Sequence, residues 1–481
     1  MRTLGSAVLV IGLAGVAWAD GGDEARPSRS FLEEDLYRDL LERVRALEER
    51  QQDDELERLK KMAAQEKAKE MEELPARVSK LEKGQSKDDE LHAFKKWLSF
   101  ESPDGNFTAK VGGRLYVVYR HIFDRDTTGG ASSSNDAFVL DTARIQLDGT
   151  FFKDFFYRVE VSSDRGGDVS PNDVFLGWSG LKPYFTLQGG QFKVPFSQEE
   201  TTSSRFIDFA ERSLVNRFVP ARDVGIMASG EVAGGIFQWC LGGFNGTGKN
   251  TADNNDEFDL AGRVFVNPFK TADLAMFKQF RLGFDFTVGD QDGPAAFSDV
   301  NTGDIGSVTF VDYNANAYQD GLRTRMDLGF SWLFGPASLR GEYMIAKWDL
   351  IDDAPQSDYE LRAWNIQATF LFTGEEKALE NRVKPKSNLN PLGGTWGAWE
   401  LALRYAFVDA SDAVDAGLMP DTNNQKTKQV TAGINWWWTS NMCVRFNWEH
   451  LMFDEDIANL KHGNKADDTQ DIFYVRWQVD F

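Results

Sequence analysis

Polar and apolar residues alternate through most of the chain, most plainly in the segment IFYVRWQVDF (472–481). Phe473, Val475, Trp477, Val479 and Phe481 share one parity, and Tyr474, Arg476, Gln478 and Asp480 the other. A period of two places the two sets on opposite faces of a β-strand, one suited to an apolar surrounding and one to water. GAWELALRYAFVD repeats the pattern, with Trp399, Leu401, Leu403, Tyr405 and Phe407 opposite Glu400, Ala402, Arg404 and Ala406. So does LRTRMDLGFSWLF, where Leu322, Thr324, Met326, Leu328, Phe330 and Trp332 oppose Arg323, Arg325, Asp327 and Ser331.

The pattern predicts strands near 108–122, 138–151, 154–164, 172–181, 184–193, 222–230, 234–244 and 258–268. Further strands are predicted near 278–290, 322–334, 336–348, 358–372, 396–408, 427–439, 441–452 and 470–481. They number about sixteen, and each is roughly the length that a tilted strand needs to cross a bilayer. Short connections, TFFKDF and WTSNM among them, alternate with long acidic ones such as GDQDGPAAFSDVNTGDIGS and VDASDAVDAGLMPDTNNQK. Short turns on one side and long loops on the other mark a bacterial outer-membrane barrel. The stretch 373–395 is the exception, a long connection on the short-turn side. Strands of a soluble sandwich or solenoid alternate too, but their apolar face meets a packed core. Here Trp, Phe, Tyr and Leu recur on one face while Arg and Glu fill the other, which requires a wet interior. The fold expected for 100–481 is an all-β transmembrane barrel of about sixteen antiparallel strands.

Residues 31–98 follow another rule. They are rich in Glu, Lys, Arg and Leu, and apolar positions recur with heptad spacing at Leu40, Val44 and Leu47, at Leu56, Leu59 and Ala63, and at Leu74, Val78 and Leu81 beside Pro75. The phase slips between these pieces, so an interrupted α-helical coiled coil is expected in 20–99, its thin stripe buried by partner helices. A lone charged helix or a partly disordered spacer is the alternative. Before it, Arg2, a short apolar run and Ala17-Trp18-Ala19 read as a secretory signal peptide over 1–19.

Net charge is −22 over 481 residues, which argues against nucleic acid as a partner. No internal run of about 18 apolar residues exists, so no helical membrane span is expected. The two cysteines, Cys240 and Cys443, read as free, packed thiols. Catalysis has little to work with. Of the four histidines, His92, His121, His450 and His462, only His450 stands on an apolar strand face, and no serine pairs with it for hydrolysis. The acidic loop ADNNDEFD lacks the regular spacing of a cation site and reads as a solvated loop. Neither enzyme activity, nor a metal, nor a cofactor is expected.

The polar parity carries Arg114, Arg120, Arg144, Arg158, Arg263, Arg281, Arg323, Arg325, Arg340, Arg404, Arg445 and Arg476. Its acids include Asp148, Glu160, Asp285, Asp327, Glu342, Glu400, Glu449 and Asp480. A sixteen-stranded barrel leaves an aqueous lumen, and arginine rings in a pore favour anions. Acids on neighbouring strands neutralise part of that charge. A mildly cationic lining follows, with about half of the arginines paired.

The longest informative connection, GGQFKVPFSQEETTSSRFIDFAERSLVNRFVPARDVGIM, follows the fifth predicted strand, where a loop folded inward narrows a barrel. Its pieces GQFKVPFSQEETTSS and AERSLVNRFVPARDVG, with RIQLDGTFFKDFFYRVEV and GAWELALRYAFVDASD, resemble the phosphate-selective porin O/P family, in order, over about 105–481. The resemblance implies a trimeric barrel of sixteen strands with an arginine-lined anion path through a constriction. It nominates Lys193, Arg205, Arg212, Arg217 and Arg222 of the loop, with Arg144 and Arg158 of the preceding strands. Arg114 and Arg404, on the inward parity, complete the expected lining. It also implies that Phe481 and the alternate apolar residues before it are read as an assembly signal. One departure stands out: many members look like Arg-Arg-Ala-Arg where this chain has Asp141-Thr142-Ala143-Arg144, and an acid near an anion path raises its electrostatic barrier.

The expected function is passive diffusion of small hydrophilic solutes or anions across the bacterial outer membrane, with the loop near 194–222 setting the size limit. The competing reading is a structural tether, in which the barrel anchors residues 31–98 to peptidoglycan or another envelope layer. An even strand count puts the N-terminal segment in the periplasm. The expected partners are two further copies in a homotrimer, outer-membrane lipid and the solutes.

Overall fold

A computed structural model describes residues 98–481 apart from 124–135, 254–255, 304–307, 352–355 and 463–464, together with Arg38, Asp39, Glu42, Lys61, Met62, Ala64 and Gln65. The chain divides into two units, Met1–His92 and Ala93–Phe481. The described residues of the first unit are helical. The predicted signal peptide and the apolar heptad positions lie outside the described residues.

In the second unit a short strand, β1 (Ser99–Glu101), pairs with the first long one, β2 (Phe107–Ile122). There follow β3 (Asp136–Phe151), β4 (Phe155–Asp164), β5 (Ser170–Leu181), β6 (Phe185–Lys193), β7 (Arg222–Val232), β8 (Phe237–Phe244), β9 (Asp259–Val266) and β10 (Gln279–Ala296). A two-stranded hairpin, β11 (Val300–Asn301) and β12 (Thr309–Val311), stands apart from the main sheet. The series resumes with β13 (Tyr318–Phe334), β14 (Ala337–Leu350), β15 (Asp358–Leu371), β16 (Ala398–Asp409), β17 (Lys426–Thr439), β18 (Met442–His462) and β19 (Lys465–Asp480). Each of the sixteen long strands pairs antiparallel with its neighbours, and β19 pairs with β2, so the barrel closes. The last hairpin runs further than the alternation alone indicates: beyond Met452 the strand is largely acidic outside, yet Phe453, Ile457 and Leu460 are buried inward and Ile457 pairs with Asp467.

The seam is tightly made. Asp480 stands opposite Arg114, and Gly113 and Phe481 exchange backbone hydrogen bonds of 3.1 Å. A Cβ at Gly113 would fall 2.8 Å from the backbone carbonyl oxygen of Arg144 and 2.6 Å from the Phe481 ring, and the fixed carbonyl leaves glycine as the residue that admits this approach.

Burial is inverted relative to a soluble protein. On the outward parity Ile145 and Leu176 are 61% exposed and Leu328 is 59% exposed, while inward Glu160, Asp327 and Glu400 are at most 2% exposed. An apolar outer band and a closed ladder of backbone hydrogen bonds are what a bilayer demands of a strand protein. Aromatic residues ring its two ends. Trp399 stacks on Trp436 at 4.9 Å toward the short turns, and Trp364 lies 5.2 Å from Tyr405 toward the long loops.

The inner face is not polar throughout. Toward the long loops the inward parity of β14–β19 turns apolar, through Met344, Ala346 and Trp348, Tyr359 and Leu361, Val408, Leu451 and Ile472. Phe310 of the β11–β12 hairpin and Phe196, Leu214, Val215 and Phe218 of the 194–221 loop pack onto it. A wet interior behind every strand is therefore corrected here: this quadrant is filled by inward-folded loops. The stretch 373–395 also folds inward, with Lys377 on Asp208 and Glu400, Glu380 on Arg281, and Arg382 on Asp480.

Candidate functional site

The loop 194–221 crosses the lumen; it is bonded most densely to the β14–β19 wall and also meets Arg114 of β2, Gln146 of β3 and Arg263 of β9 through Ser204, Arg205 and Thr201. Its α-helical turn, Gln198–Thr201, starts at Ser197, whose hydroxyl accepts from the Glu200 N–H, and a 3-10 turn follows at Leu214–Phe218. Glu342 of β14 takes the free N–H groups of Gln198 and Glu199, the latter at 3.1 Å, placing a carboxylate at the positive end of the turn. Glu199 accepts from the Ser213 hydroxyl at 2.5 Å and backbone N–H at 3.0 Å, and meets Arg404 at 3.4 Å. Asp208 binds Arg340 and Lys377. Backbone groups are held too, Ala210 N–H by Asn447 at 2.6 Å, Ala210 C=O by Arg476 at 2.5 Å and Leu214 N–H by Gln429 at 3.1 Å. These anchors belong to β14–β19 or to the stretch 373–395, and the space described next is lined from the opposite side, by residues of β2–β7 and of the loop itself.

That space begins at a cavity of about 260 Å3 lined by Arg114, Arg144, Arg158, Lys193, Arg212 and Arg222, with Ser203, Ser204 and the single acid Asp173. Carboxylates sit behind the cations. Glu160, 1% exposed, is 2.7 Å from Arg114, 3.5 Å from Arg144 and 3.7 Å from Arg222. Arg158 pairs with Asp148 at 2.6 Å and Arg222 with Asp173 at 2.7 Å. Lys193 and Arg212 share Glu200, at 3.1 and 3.3 Å. Burial by itself would raise the Glu200 carboxyl, but Arg212, Lys193 and Arg222 and a hydrogen bond from Asn216 outweigh it and hold it down to about 2. A carboxylate so held is ionised throughout the physiological range, and its cationic partners Lys193, Arg212 and Arg222 are among the residues that line the cavity.

A second cavity, of about 120 Å3, shares Arg144, Ser204 and Arg212 with the first and adds Arg165, Arg217 and Arg476. It also holds Asp141, Asp164 and Glu211 against five arginines, so it is less strongly cationic than the first, whose six cations face one acid. Asp141 reaches it through a bulge. Tyr116 pairs with Thr142 and Val117 with Leu140, leaving Asp141 as the extra residue that breaks the strand's strict alternation. At the short-turn end a cavity of about 520 Å3 is lined by Lys182, Glu231, Gln238, Cys240, Arg263 and Phe265. The three spaces follow the β2–β9 wall.

Six of the nine nominated lining residues thus converge on one cavity: Arg114, Arg144, Arg158, Lys193, Arg212 and Arg222. Arg217 lies at the second. Arg205 bonds Gln146 at 2.8 Å beside it, and burial followed by the nearby Arg114 charge lowers its pKa. Arg404 is placed elsewhere. Its side chain is fully enclosed, bonded to the Glu211 carbonyl at 2.9 Å and stacked 4.5 Å over Phe209, so it anchors the loop and does not line the opening. Ion pairing exceeds the half expected. Arg114, Arg144, Arg158, Arg263, Arg281, Arg323, Arg340 and Arg404 of the twelve inward arginines each have a carboxylate within 4.0 Å. The anchors Glu199, Asp208, Lys377 and Asn447 carry no signal in the sequence pattern, since their partners lie on remote strands; the one available hint is an acidic QEE in a segment otherwise nominated for its cations. Both cysteines are free, and His121 and His450 pair with Asp136 at 2.7 Å and Asp471 at 3.0 Å rather than with any serine.

Comparison with known proteins agrees with this architecture. Porin O of Pseudomonas aeruginosa is 24% identical over 415 residues, covering 80% of this chain and 91% of the relative. Among solved structures, OmpF of Salmonella typhi in complex with daunomycin matches at 11% identity over 79% of this chain and 100% of that one, with a TM-score of 0.50. An anion-selective porin from Comamonas acidovorans matches at 16% identity over 78% of this chain and 100% of that one, with a TM-score of 0.48. The family model described as phosphate-selective porin O and P matches residues 116–481.

Proposed function

The chain belongs to the phosphate-selective porin O and P family, porins of the bacterial outer membrane, and on that premise we propose that its lumen favours small anions. The path follows the β2–β9 wall, with Arg114, Arg144, Arg158, Lys193, Arg212 and Arg222 replacing part of an anion's hydration at the narrow point. One observation carries this reading: the charged side chains lining that cavity are six cations and one carboxylate, with Glu160 and Glu200 kept behind them. The role is passive conduction, without catalysis. Single-channel recording in planar bilayers under a KCl gradient tests it. A reversal potential of anion-selective sign is expected; a cation-selective sign overturns the preference, and absence of conductance steps overturns the pore.

Asp141, one of three carboxylates set against five arginines in the second cavity, repels a multiply charged anion more than a monovalent one. That local repulsion is the ground for expecting chloride to pass more readily than phosphate. Phosphate added at millimolar concentration is expected to leave chloride current nearly unchanged, whereas strong block would show a phosphate site.

The proposed assembly is a homotrimer whose N-terminal segment is periplasmic, with 1–19 removed as a signal peptide and 20–99 forming a coiled coil. Heptad spacing and an even number of strands support this. Deleting 31–98 distinguishes its roles: loss of trimers marks an assembly segment, and loss of envelope attachment with unchanged conductance marks a tether.

A further inference from the structure

Two arginines of the closing hairpin are left over once the ion pairs are assigned. Arg445 of β18 and Arg476 of β19 stand directly opposite each other in the register, on the inward parity, and Cβ atoms so placed lie about 5 Å apart. The residues are 0% and 2% exposed. Among the described residues neither has the carboxylate within 4.0 Å that eight other inward arginines have. Acids on the same stretch of wall are already engaged. Glu400 is held by Lys377, by the Asn435 amide at 3.0 Å and by the Trp437 indole at 3.3 Å, Asp480 is paired with Arg382, and Glu449 faces Arg404 at 3.7 Å.

The partners that the two guanidinium groups do have are neutral. Both donate to the Gln478 side-chain oxygen, Arg476 at 3.2 Å, and Arg476 also donates to the Ala210 carbonyl at 2.5 Å. Arg445 lies 5.3 Å from the centre of the Trp437 ring and Arg476 4.8 Å from that of Tyr116. Nε of each and Nη2 of Arg445 are buried without a partner, and this Nη2 is the only terminal guanidinium nitrogen so placed among the described residues. Two positive charges side by side and away from water repel, and neutral acceptors do not offset the cost of dehydrating them. Elsewhere on this wall the chain supplies the counter-charge, Asp208 and Glu400 for Arg340 and Lys377, Glu199 and Glu449 for Arg404. At the Arg445–Arg476 pair it supplies none.

We propose that Arg445 and Arg476 together bind one chloride ion within the barrel wall. Arg445 Nη2 and the two Nε groups are the donors left for it, and charge-assisted N–H contacts to an anion are the strong class of hydrogen bond. Enclosure this complete suits a single-atom ion better than a tetrahedral oxyanion. The site is separate from the narrow point: neither residue lines the cavity of Arg114 and Arg222, and Arg476 only edges the second one. Its ion neutralises a part of the wall that fastens the loop, since Arg476 and Asn447 hold both backbone groups of Ala210 and Gln478 holds the Arg205 carbonyl at 3.1 Å. Permeant anions at the narrow point are not needed for it.

Crystals of the full-length porin grown in bromide instead of chloride and measured at the bromine absorption edge test the site. An anomalous peak is expected within hydrogen-bonding reach of Arg445 Nη2 in the native protein, and none at that place in R445Q. A water there without anomalous signal, bridging Arg445 to the Asn435 oxygen that is unpaired across the register, overturns the proposal from the native crystal alone. A peak that survives in R445Q overturns Arg445 as its ligand. Peaks beside Arg114 or Arg212 belong to the narrow point, so the two sites succeed or fail separately. In solution, replacing gluconate by chloride at constant ionic strength is expected to raise the unfolding temperature of the native protein by several degrees. R445Q, with a single positive charge left to neutralise, is expected to gain distinctly less, and an equal gain overturns the ion's part in holding the loop.

Discussion

Glu160 lies 2.7 Å from Arg114, and the two side chains are 1% and 7% exposed, behind an opening otherwise edged by cations. The carboxylate is an internal counter-ion that competes with any permeant anion for the same guanidinium groups. Substituting Glu160→Gln keeps the size and removes the charge. At an effective dielectric near 40, a unit charge about 8 Å from the path is worth about 1 kcal/mol, roughly fivefold in relative permeability. The reversal potential under a KCl gradient is expected to move by that factor toward anions, and a shift toward cations would contradict the site.

Asp141 is the bulged residue of β3 and faces the outer cavity. Asp141→Asn removes a charge at the mouth, where water screens it more than at Glu160. A gain of about twofold in chloride conductance at low salt is expected, shrinking as salt is raised. Recordings at about 0.1 and 1 M KCl would reveal the difference, because the screening length shortens severalfold between them, and a salt-independent effect would assign Asp141 a structural role instead.

Glu199 fastens the loop to itself through Ser213 and to the wall through Arg404. Glu199→Ala removes one carboxylate from an enclosed guanidinium that keeps Glu449 and the Glu211 carbonyl, and leaves both Ser213 donors without their acceptor, a loss of about 2 kcal/mol in local stability. The loop then samples positions off the wall. Single-channel traces are expected to become noisier, with brief excursions to higher conductance, while the native trace stays flat.

Glu200 gives a pH signature. Its folded pKa of about 2 lies below the usual 4.5, so its ion pairs contribute fully above pH 4.5 and are lost as pH falls from about 4.5 to 2. The contribution is about 3 kcal/mol, since a tenfold change in proton affinity corresponds to about 1.4 kcal/mol. Thermal unfolding of the native barrel is expected to weaken across that window, and Glu200→Gln to flatten the dependence while lowering stability at pH 7.

The sixteen strands were legible because membrane and lumen impose opposite solvents on successive residues, so Leu328 beside Asp327 already marks both faces. Arg404 was legible as inward, yet its role was not, because Glu199 lies 205 positions away and only the folded loop brings it within 3.4 Å. The same limit hid Lys377, whose partner Asp208 is 169 positions distant. The apolar inner quadrant was obscured for another reason. In β14 the inward residues change from Arg340 and Glu342 to Met344, Ala346 and Trp348 along one parity, and alternation cannot tell a loop-covered lumen from a lipid-facing surface. Convergence of Arg114, Arg144, Arg158 and Arg222 followed from neighbouring strands and was the most readable part of the site.

The seam at which Asp480 meets Arg114 joins residues almost the whole barrel sequence apart. Every other long strand finds a partner next to it in the chain, so the sheet can grow hairpin by hairpin, but this last pairing carries the largest loop-closure entropy. Until it forms, the growing ribbon has two unpaired edges, each a template for another chain. A carrier that masks the edge of β2 and yields only to β19 would therefore govern the speed of assembly, and the close fit of Gly113 against Phe481 makes a correctly registered closing strand distinguishable from one slipped by two residues.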